Sequence, residues 1–319
     1  MRIFLRRISL FLLPLLLLAA AAECYVRSLP NSYRAKRQAL ERQAARTEVL
    51  ILGNSHAFFG LRPDVAALPS LNLANVSQTL DYDLLLFRHC QPLLPRLRRV
   101  YLTVDHSNLF DLPLEEGPEA FRATYYDRYL GIRPPGRLLP CPPEIVAFDS
   151  FKAKLLRGLS ARRALADGDP QGQRDGSVDC DSLGWGNGYS LSQRPSEACT
   201  EEEARRVALK HTCTDRERFA CNIRQLCAMA RACAASHVEL IFVATPVTAA
   251  YLSHIPQAQK HLLAQTYAYF SRRYSVRIAD FSADTRFDND DFYDADHLSD
   301  IGAERLSRLL MTEADSTHS

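Results

Sequence analysis

The chain has 319 residues, of which 47% are hydrophobic and 24% are charged, and its formal net charge is +2. This composition is that of an ordinary globular protein, and the length fits one large domain or one domain with an insertion. The near-neutral charge argues against a broad basic surface, so we expect no nucleic acid among the partners.

The N-terminus carries the pattern of an export signal. Several arginines precede an uncharged, apolar run from Ile8 to Ala22, and a basic segment followed by such a run directs export. The run is shorter than the roughly 20 apolar residues of a full membrane span. Residues 1–26 are therefore expected to form either an uncleaved signal anchor or a cleaved signal peptide. In both cases the rest of the chain lies outside the cytoplasm.

The next segment, residues 27–47, is rich in charged and polar side chains. We interpret it as a juxtamembrane helix or tether, whose basic charge keeps it solvated.

From residue 48 onward, short apolar runs alternate with helical patterns. The expected strands are 48–53, 71–75, 99–105, 238–244 and 276–281. The expected helices are 80–94, 200–235 with a break at 211–215, 257–273 and 301–310. This alternation predicts a parallel sheet with helices on both faces. We expect an α/β domain over residues 48–315, a three-layer α/β/α sandwich of the flavodoxin-like kind with five strands.

An insertion, residues 111–200, interrupts this alternation between the third and fourth strands. It is punctuated by prolines and glycines and shows little periodicity. Trp185 and Tyr189 in it have two interpretations. They could line a sugar subsite, or they could belong to a packed turn held by disulfides, which we favour.

The chain contains nine cysteines, most of them between Cys141 and Cys233. In an exported protein the default interpretation is a set of disulfides that staple this region. A zinc site is the alternative, with His211, Cys213, Cys221 and Cys227 as its candidate ligands. No Cys-x-x-Cys pair is present, so we expect no metal and no cofactor.

The first strand ends in Gly53-Asn54-Ser55. The carboxyl ends of parallel strands are where open α/β sheets bind ligands, so Ser55 is a candidate nucleophile. A serine hydroxyl needs a neighbouring base.

The far end of the chain supplies a base. His297 follows Asp294 by three residues, a spacing that lets the carboxylate reach one ring nitrogen while the other faces the serine. Asp296 competes for this role, but an adjacent residue usually points the other way in an extended segment. His56 is a weaker candidate base, since sequence neighbours rarely face each other.

A serine nucleophile also needs donors for the oxyanion that forms on the substrate. The backbone N–H of Ser55, the backbone N–H of Ser77 and the side-chain amide of Asn108 are the candidates. Each follows the carboxyl end of a strand.

Together, Gly53-Asn54-Ser55, the run from Asn72 to Gln78 and the block from Asp294 to His297 resemble the SGNH or GDSL hydrolase superfamily, in particular its membrane-anchored, exported bacterial branch. The resemblance implies ester chemistry on acyl groups by a triad of Ser55, His297 and Asp294. The family's third block, Gly-x-Asn-Asp, is not matched by the run from Val104 to Asn108, and Asn54 stands where the family has aspartate.

We therefore expect an exported serine esterase or O-acyltransferase, which removes or transfers an acyl group, such as acetyl, on an envelope glycan. Its partners would be an acylated glycan or small ester, a membrane acyl-transfer protein, and the inner membrane through the N-terminal helix. It would lie at the periplasmic face of that membrane, or be secreted if the signal is cleaved. The alternative is a non-catalytic glycan-binding or assembly protein on the same fold.

Overall fold

The computed structural model describes residues 1–143 and 179–313. The chain divides into two compact units, one of Met1–Asn31 with Leu138–Val178 and one of Ser32–Arg137 with Asp179–Ser319. Much of the predicted insertion, residues 144–178, lies outside the described residues.

The described part of the first unit contains helix α1, Arg2–Ser28. By length and composition this helix could cross a membrane, and its place near the N-terminus fits a signal sequence equally well. Both alternatives for residues 1–26 therefore stay open.

The second unit is built on a parallel sheet. Its strands are β1 Val49–Leu52, β2 Ser70–Asn72, β3 Arg99–Thr103, β4 Glu239–Ala244 and β5 Arg277–Asp280. The order is β2-β1-β3-β4-β5, with every neighbouring pair parallel. This is the flavodoxin-like order of doubly wound folds. The predicted fold class and all five strand positions are confirmed.

The helices of this unit are α2 Ser32–Gln43, α3 Ser55–Gly60, α4 Leu80–Cys90, α5 Ala123–Tyr125, α6 Glu201–His211, α7 Arg216–Ala235, α8 Ala249–His254, α9 Gln257–Tyr274 and α10 Asp300–Glu313. The predicted break between α6 and α7 is present. The side chain of Asp215 caps α7 by accepting the N–H groups of Glu217 and Arg218. The short helices α3 and α8 were not predicted from the sequence.

The core follows the alternation of side chains along each strand. Leu50 and Leu52 on β1 share one hydrophobic cluster with residues of α4, α7 and α9. Ile51 between them is also fully buried but lies outside that cluster. Successive side chains point to opposite faces of a sheet, so both faces are covered, and α3 and α10 pack together on the other one.

The predicted tether differs from the structure over residues 32–43. Helix α2 belongs to the α/β unit, and its residues Tyr33, Ala39 and Leu40 lie in the core. Lys36 is buried beside them, and its ammonium donates to the carbonyl oxygens of Asn72, at 3.0 Å, and Gly184. Because the ammonium of Lys36 donates to carbonyl oxygens inside the protein, this basic helix packs against the core instead of remaining solvated.

The expectation of disulfides is wrong for this structure. All nine cysteines lie in the described residues and each is a free thiol. Cys90 and Cys233 are buried in the hydrophobic core, where burial raises the pKa of each thiol to about 12. These two act as small hydrophobic side chains, a common use of free cysteine.

Candidate active site

A tight turn after β1 places Ser55. Gly53 has a φ of +128°, and a Cβ there would lie 1.8 Å from Thr103 Oγ1. No other residue therefore fits this close approach of β1 to β3. Asn54 follows as the N-cap of α3, with Oδ1 accepting the N–H of His56 at 3.1 Å. The turn sets Ser55 at the first position of the helix, at the carboxyl edge of the sheet.

A second turn, just before α10, places His297. Asp294 Oδ1 accepts the backbone N–H groups of His297, at 2.8 Å, and Asp296, at 3.1 Å. The N–H of Tyr293 donates to the carbonyl of His297 at 2.9 Å. These hydrogen bonds fix the conformation of the loop 293–297, and this conformation sets the position of the His297 imidazole.

The two turns bring the three predicted side chains together. Ser55 Oγ lies 2.8 Å from His297 Nε2. Nδ1 of the same ring lies 3.0 and 3.1 Å from the two carboxylate oxygens of Asp294. The hydroxyl, imidazole and carboxylate thus form one hydrogen-bonded chain across 242 residues of sequence.

A second chain of buried groups meets the first at His297. Asp296 Oδ1 lies 3.2 Å from His297 Nδ1, and Asp296 Oδ2 lies 3.2 Å from His56 Nε2. The other nitrogen of His56, Nδ1, lies 2.6 Å from Asp105 Oδ2. His56, Asp105 and Asp296 are all buried. Sequence reasoning missed this chain, although His56 follows the nucleophile and Asp105 lies at the end of β3, the edge that also directed attention to Asn108.

The electrostatics of this cluster favour charged imidazoles. Burial alone would lower the pKa of His56, but Asp105 and Asp296 outweigh it and raise that pKa to about 9. Burial likewise opposes the charge on His297, and Asp294 with Asp296 raises its pKa well above the usual 6.5. The nearby imidazoles hold the pKa of Asp105 and that of Asp296 below the usual value against the effect of burial. The cluster is therefore a set of compensated ion pairs, the condition under which buried charges are tolerated.

The Ser55 hydroxyl and the His297 ring open onto a cavity of about 360 Å³. Its other walls come from residues 107–119 and from the junction of α6 and α7 at residues 210–218. His211 at that junction bonds through Nδ1 to the Tyr251 hydroxyl at 2.8 Å. A concave cavity lined by a few convergent polar side chains is the usual arrangement of a ligand site.

Two of the three predicted oxyanion donors, Ser77 and Asn108, lie in different places. Ser77 lines the cavity in a left-handed conformation, φ 54°, and its N–H makes no backbone hydrogen bond within the described residues. Asn108 is buried, does not line the cavity, and donates its amide to the carbonyl of Thr103 at 2.8 Å. The Asn108 amide supports the loop after β3, so its position does not suit the predicted oxyanion role.

The aromatic residues of the insertion pack against the site from outside the cavity. Trp185 Nε1 donates to the carbonyl of Phe59 at 2.7 Å. Tyr189 stacks between Phe59 and Tyr293 with centroid distances of 3.8 and 4.1 Å. Neither Trp185 nor Tyr189 lines the cavity. The packed-turn interpretation therefore holds, with stacking and hydrogen bonds in place of disulfides.

Among the described residues, His56, Asp296 and His297 form the group whose ligating atoms lie close enough to hold a metal ion, within 4.8 Å of one another. The zinc alternative named other residues, His211 with three cysteines, and the His211 ring is bonded to Tyr251 instead. The close group already pairs its carboxylate with both imidazoles.

No protein-family model and no curated protein matches this sequence. Among solved structures, the chain is similar to a Bacteroides fragilis protein described as a "putative acylhydrolase", with 12% sequence identity and a TM-score of 0.42, over 86% of this chain and 92% of that one.

Proposed function

We propose that this protein is a serine esterase or acyltransferase that acts through a triad of Ser55, His297 and Asp294. The observation that carries the proposal is the hydrogen-bonded chain from the Ser55 hydroxyl through His297 to Asp294, at 2.8 and 3.0 Å, with Ser55 and His297 in the lining of a cavity. These distances are within reach for proton transfer from a nucleophile to its base. The sequence resemblance to SGNH hydrolases, exported and membrane-anchored, supports the same assignment.

In the proposed reaction, Ser55 Oγ attacks the carbonyl carbon of an ester while His297 Nε2 takes the hydroxyl proton. Asp294 holds the ring in the tautomer that leaves Nε2 free and stabilises the imidazolium that forms. The imidazolium then gives the proton to the alcohol oxygen as the bond between that oxygen and the carbonyl carbon breaks, which releases the alcohol and leaves the acyl group on Ser55 Oγ. Water or a second hydroxyl next attacks the acyl-enzyme, so the same intermediate serves hydrolysis and transfer.

The negative charge on the carbonyl oxygen in the transition state needs donors. The backbone N–H groups of Ser55 and Ser77 fill this role in the proposal. Ser55 stands at the first position of a helix, where an N–H has no partner within the helix, and the Ser77 N–H makes no backbone hydrogen bond in the described structure. Both N–H groups belong to residues that line the cavity, so they are available to an oxyanion that forms there.

The substrate we propose is an acylated glycan of the cell envelope, with acetyl as the acyl group. An export signal or anchor at residues 1–26 would place the site outside the cytoplasm, where such polymers are modified. A tether to the membrane fits transfer from a membrane acyl donor, with a membrane acyl-transfer protein as partner.

A direct test measures hydrolysis of p-nitrophenyl acetate by the full chain in detergent micelles. We expect turnover by the wild-type protein and a loss of at least about 10³-fold in Ser55→Ala, because the acyl-enzyme cannot form. Ser253→Ala is the matched control, since Ser253 is an exposed serine. Turnover that is equal in Ser55→Ala and wild type would reject the triad. No turnover between pH 6 and 9 would favour the non-catalytic glycan-binding alternative.

A further inference from the structure

The cavity carries one carboxyl group that the proposed mechanism does not use. Asp111 lines the cavity, and its carboxylate makes no hydrogen bond or ion pair with any residue in the described ranges 1–143 and 179–313. The other acidic residues of the cavity have partners: Asp296 pairs with two imidazoles, and Glu119 pairs with Arg122 at 2.7 Å. Asp111 is thus the exception among the carboxylates around the nucleophile.

The main chain, and not the side chain, holds Asp111 at the cavity wall. Its N–H donates to the carbonyl of Asn108 at 3.4 Å, and its carbonyl accepts the amide of Asn222 at 2.9 Å. The same amide nitrogen of Asn222 lies 3.1 and 3.3 Å from the carbonyls of Leu109 and Asn108. A buried asparagine on α7 therefore clamps the loop, and the carboxyl is presented to the cavity from a rigid support.

The carboxyl of Asp111 is half-buried in the cavity wall and has no partner among the described residues. Burial, with a contribution from the charge of Asp105, raises the pKa of Asp111 to about 7, and Arg218 offsets only part of this. Unpartnered groups of this kind in a cleft are candidates for function, because a ligand can supply the missing partner.

We propose that Asp111 recognises the substrate by accepting hydrogen bonds from hydroxyl groups of the sugar that bears the acyl group. This inference rests on the proposed function and names the part of the substrate that the cavity reads. A carboxylate offers acceptors only, and the hydroxyls of a sugar ring are donors that can reach both of its oxygens. The cavity, about 360 Å³, is at the small end of ligand pockets, which suits a single sugar with a short acyl chain.

The charges around the cavity favour a neutral hydroxyl over a cationic group at Asp111. Lys210 and Arg218 line the same cavity, and Lys210 makes no ion pair among the described residues. An ammonium on the substrate would meet these cations. A hydroxyl donor satisfies the carboxylate without that repulsion.

The test compares two acetyl esters with the full chain in detergent micelles. One is a methyl glucoside that carries a single O-acetyl group and free hydroxyls, and the other is p-nitrophenyl acetate, which has none. We expect Asp111→Ala to lower kcat/KM for the sugar ester about tenfold or more and to leave that for p-nitrophenyl acetate within about twofold. Asp111→Asn, which keeps one acceptor, should fall between. Glu116→Ala, an exposed carboxylate in the same loop, is the control and should change neither ester.

The outcomes separate this inference from the proposed function. Equal losses on both esters, or no loss on either, would overturn the role of Asp111. Wild-type turnover of p-nitrophenyl acetate without turnover of the sugar ester would also overturn it while leaving the triad standing. Failure of both esters with the wild-type protein would reject the esterase proposal itself.

A stability measurement guards against a purely structural explanation. Above pH 7, Asp111→Asn removes a charge that burial disfavours, so we expect the variant to melt at a higher temperature than wild type. A lower melting temperature would show that the carboxylate supports the fold and would contradict a recognition role.

Discussion

Two histidines, the half-buried His297 and the buried His56, lie beside the same carboxylate, Asp296, but their ring nitrogens meet different groups. His297 contacts carboxylates through Nδ1 and keeps Nε2 on the Ser55 hydroxyl, at the edge of the cavity. His56 has a carboxylate on each of its nitrogens, at 2.6 and 3.2 Å. The ring centroids are 4.9 Å apart. The two rings differ in their contacts, because one nitrogen of His297 faces a hydroxyl, whereas both nitrogens of His56 face carboxylates.

In the proposed mechanism, the ion-paired cluster contains both the catalytic base, His297, and the residues that hold it in place. A general base needs one free nitrogen that faces the proton to be moved, and only the His297 region offers one. The His56 region places a cation between Asp105 and Asp296, which keeps Asp296 charged and directed at His297. We therefore expect variants in the first region to reduce activity and variants in the second to reduce stability.

The largest expected effect is that of His297→Gln. It removes the base from the Ser55 hydroxyl, so kcat/KM for p-nitrophenyl acetate should fall by about 10³-fold or more per folded molecule. In the same assay, the kcat/KM of His56→Gln should fall far less. Similar losses in the two variants, each corrected for the folded fraction by circular dichroism, would contradict the division between the regions.

Asp294→Asn comes next. The amide keeps the shape of the turn but no longer stabilises the imidazolium, so kcat should fall by about 10²-fold or more with little change in KM. A steady-state comparison with Asp296→Asn decides which aspartate orients the ring. A larger loss in Asp296→Asn would assign that role to Asp296 instead.

His56→Gln should act mainly on folding. It leaves the buried carboxylates of Asp105 and Asp296 without their shared cation, which costs about 3 kcal/mol. The pKa of His56 is raised from 6.5 to about 9, so its stabilisation is fully present below pH 6.5 and is lost as the pH rises through 9. Urea unfolding should show that the difference in the free energy of unfolding between wild type and His56→Gln becomes smaller as the pH rises over this range. His254→Gln, which removes a pair with Glu201 near the surface, should show little difference at any pH.

The smallest effect is a shift in pH dependence. In the proposed mechanism His297 must be neutral to take the proton, so activity should be lost as the pH falls through the raised pKa of His297. Asp296→Asn removes one of the charges that raise this pKa, so the acid limb of kcat/KM should move to lower pH by about one unit. Asp284→Asn, whose carboxylate pairs with Arg286 at the surface, is the control. A shift to higher pH would mean that Asp296 does not act on His297.

The fold was readable from the sequence because parallel strands buried on both faces appear as short apolar runs. Strands β1 to β4 follow that rule, since every residue in them except Glu239 is buried, whereas β5 is a half-buried edge strand. The packing of α2 was not readable in this way, because Tyr33, Ala39 and Leu40 share their helix face with Lys36. A lysine within an apolar helix face obscures the hydrophobic pattern, and the groups that stabilise the buried ammonium, the carbonyls of Asn72 and Gly184 and the ring of Phe58, are distant in sequence.

The site was readable where its groups are local. Asp294 and His297 lie in one turn, in which the His297 N–H donates to the Asp294 carboxylate. Gly53 likewise indicates a turn just before Ser55. The bridge from Asp105 through His56 to Asp296 joins three elements, so no local pattern encodes it. Asn108 lies at the predicted edge of the sheet, but its amide turns inward to Thr103, and edge position alone does not determine that direction. Likewise, the number of cysteines does not determine whether Cys90 and Cys233 fill the core as free thiols or form disulfides.

The most direct test of the central claim is active-site labelling with a fluorophosphonate, followed by mass spectrometry of the intact chain and its peptides. If Ser55 is activated by His297, one adduct should form on the wild-type chain and map to Ser55, and it should be absent from Ser55→Ala and strongly reduced in His297→Gln. Labelling at a different residue, or none on a chain whose folding is confirmed by circular dichroism, would contradict the assignment of Ser55 as the nucleophile.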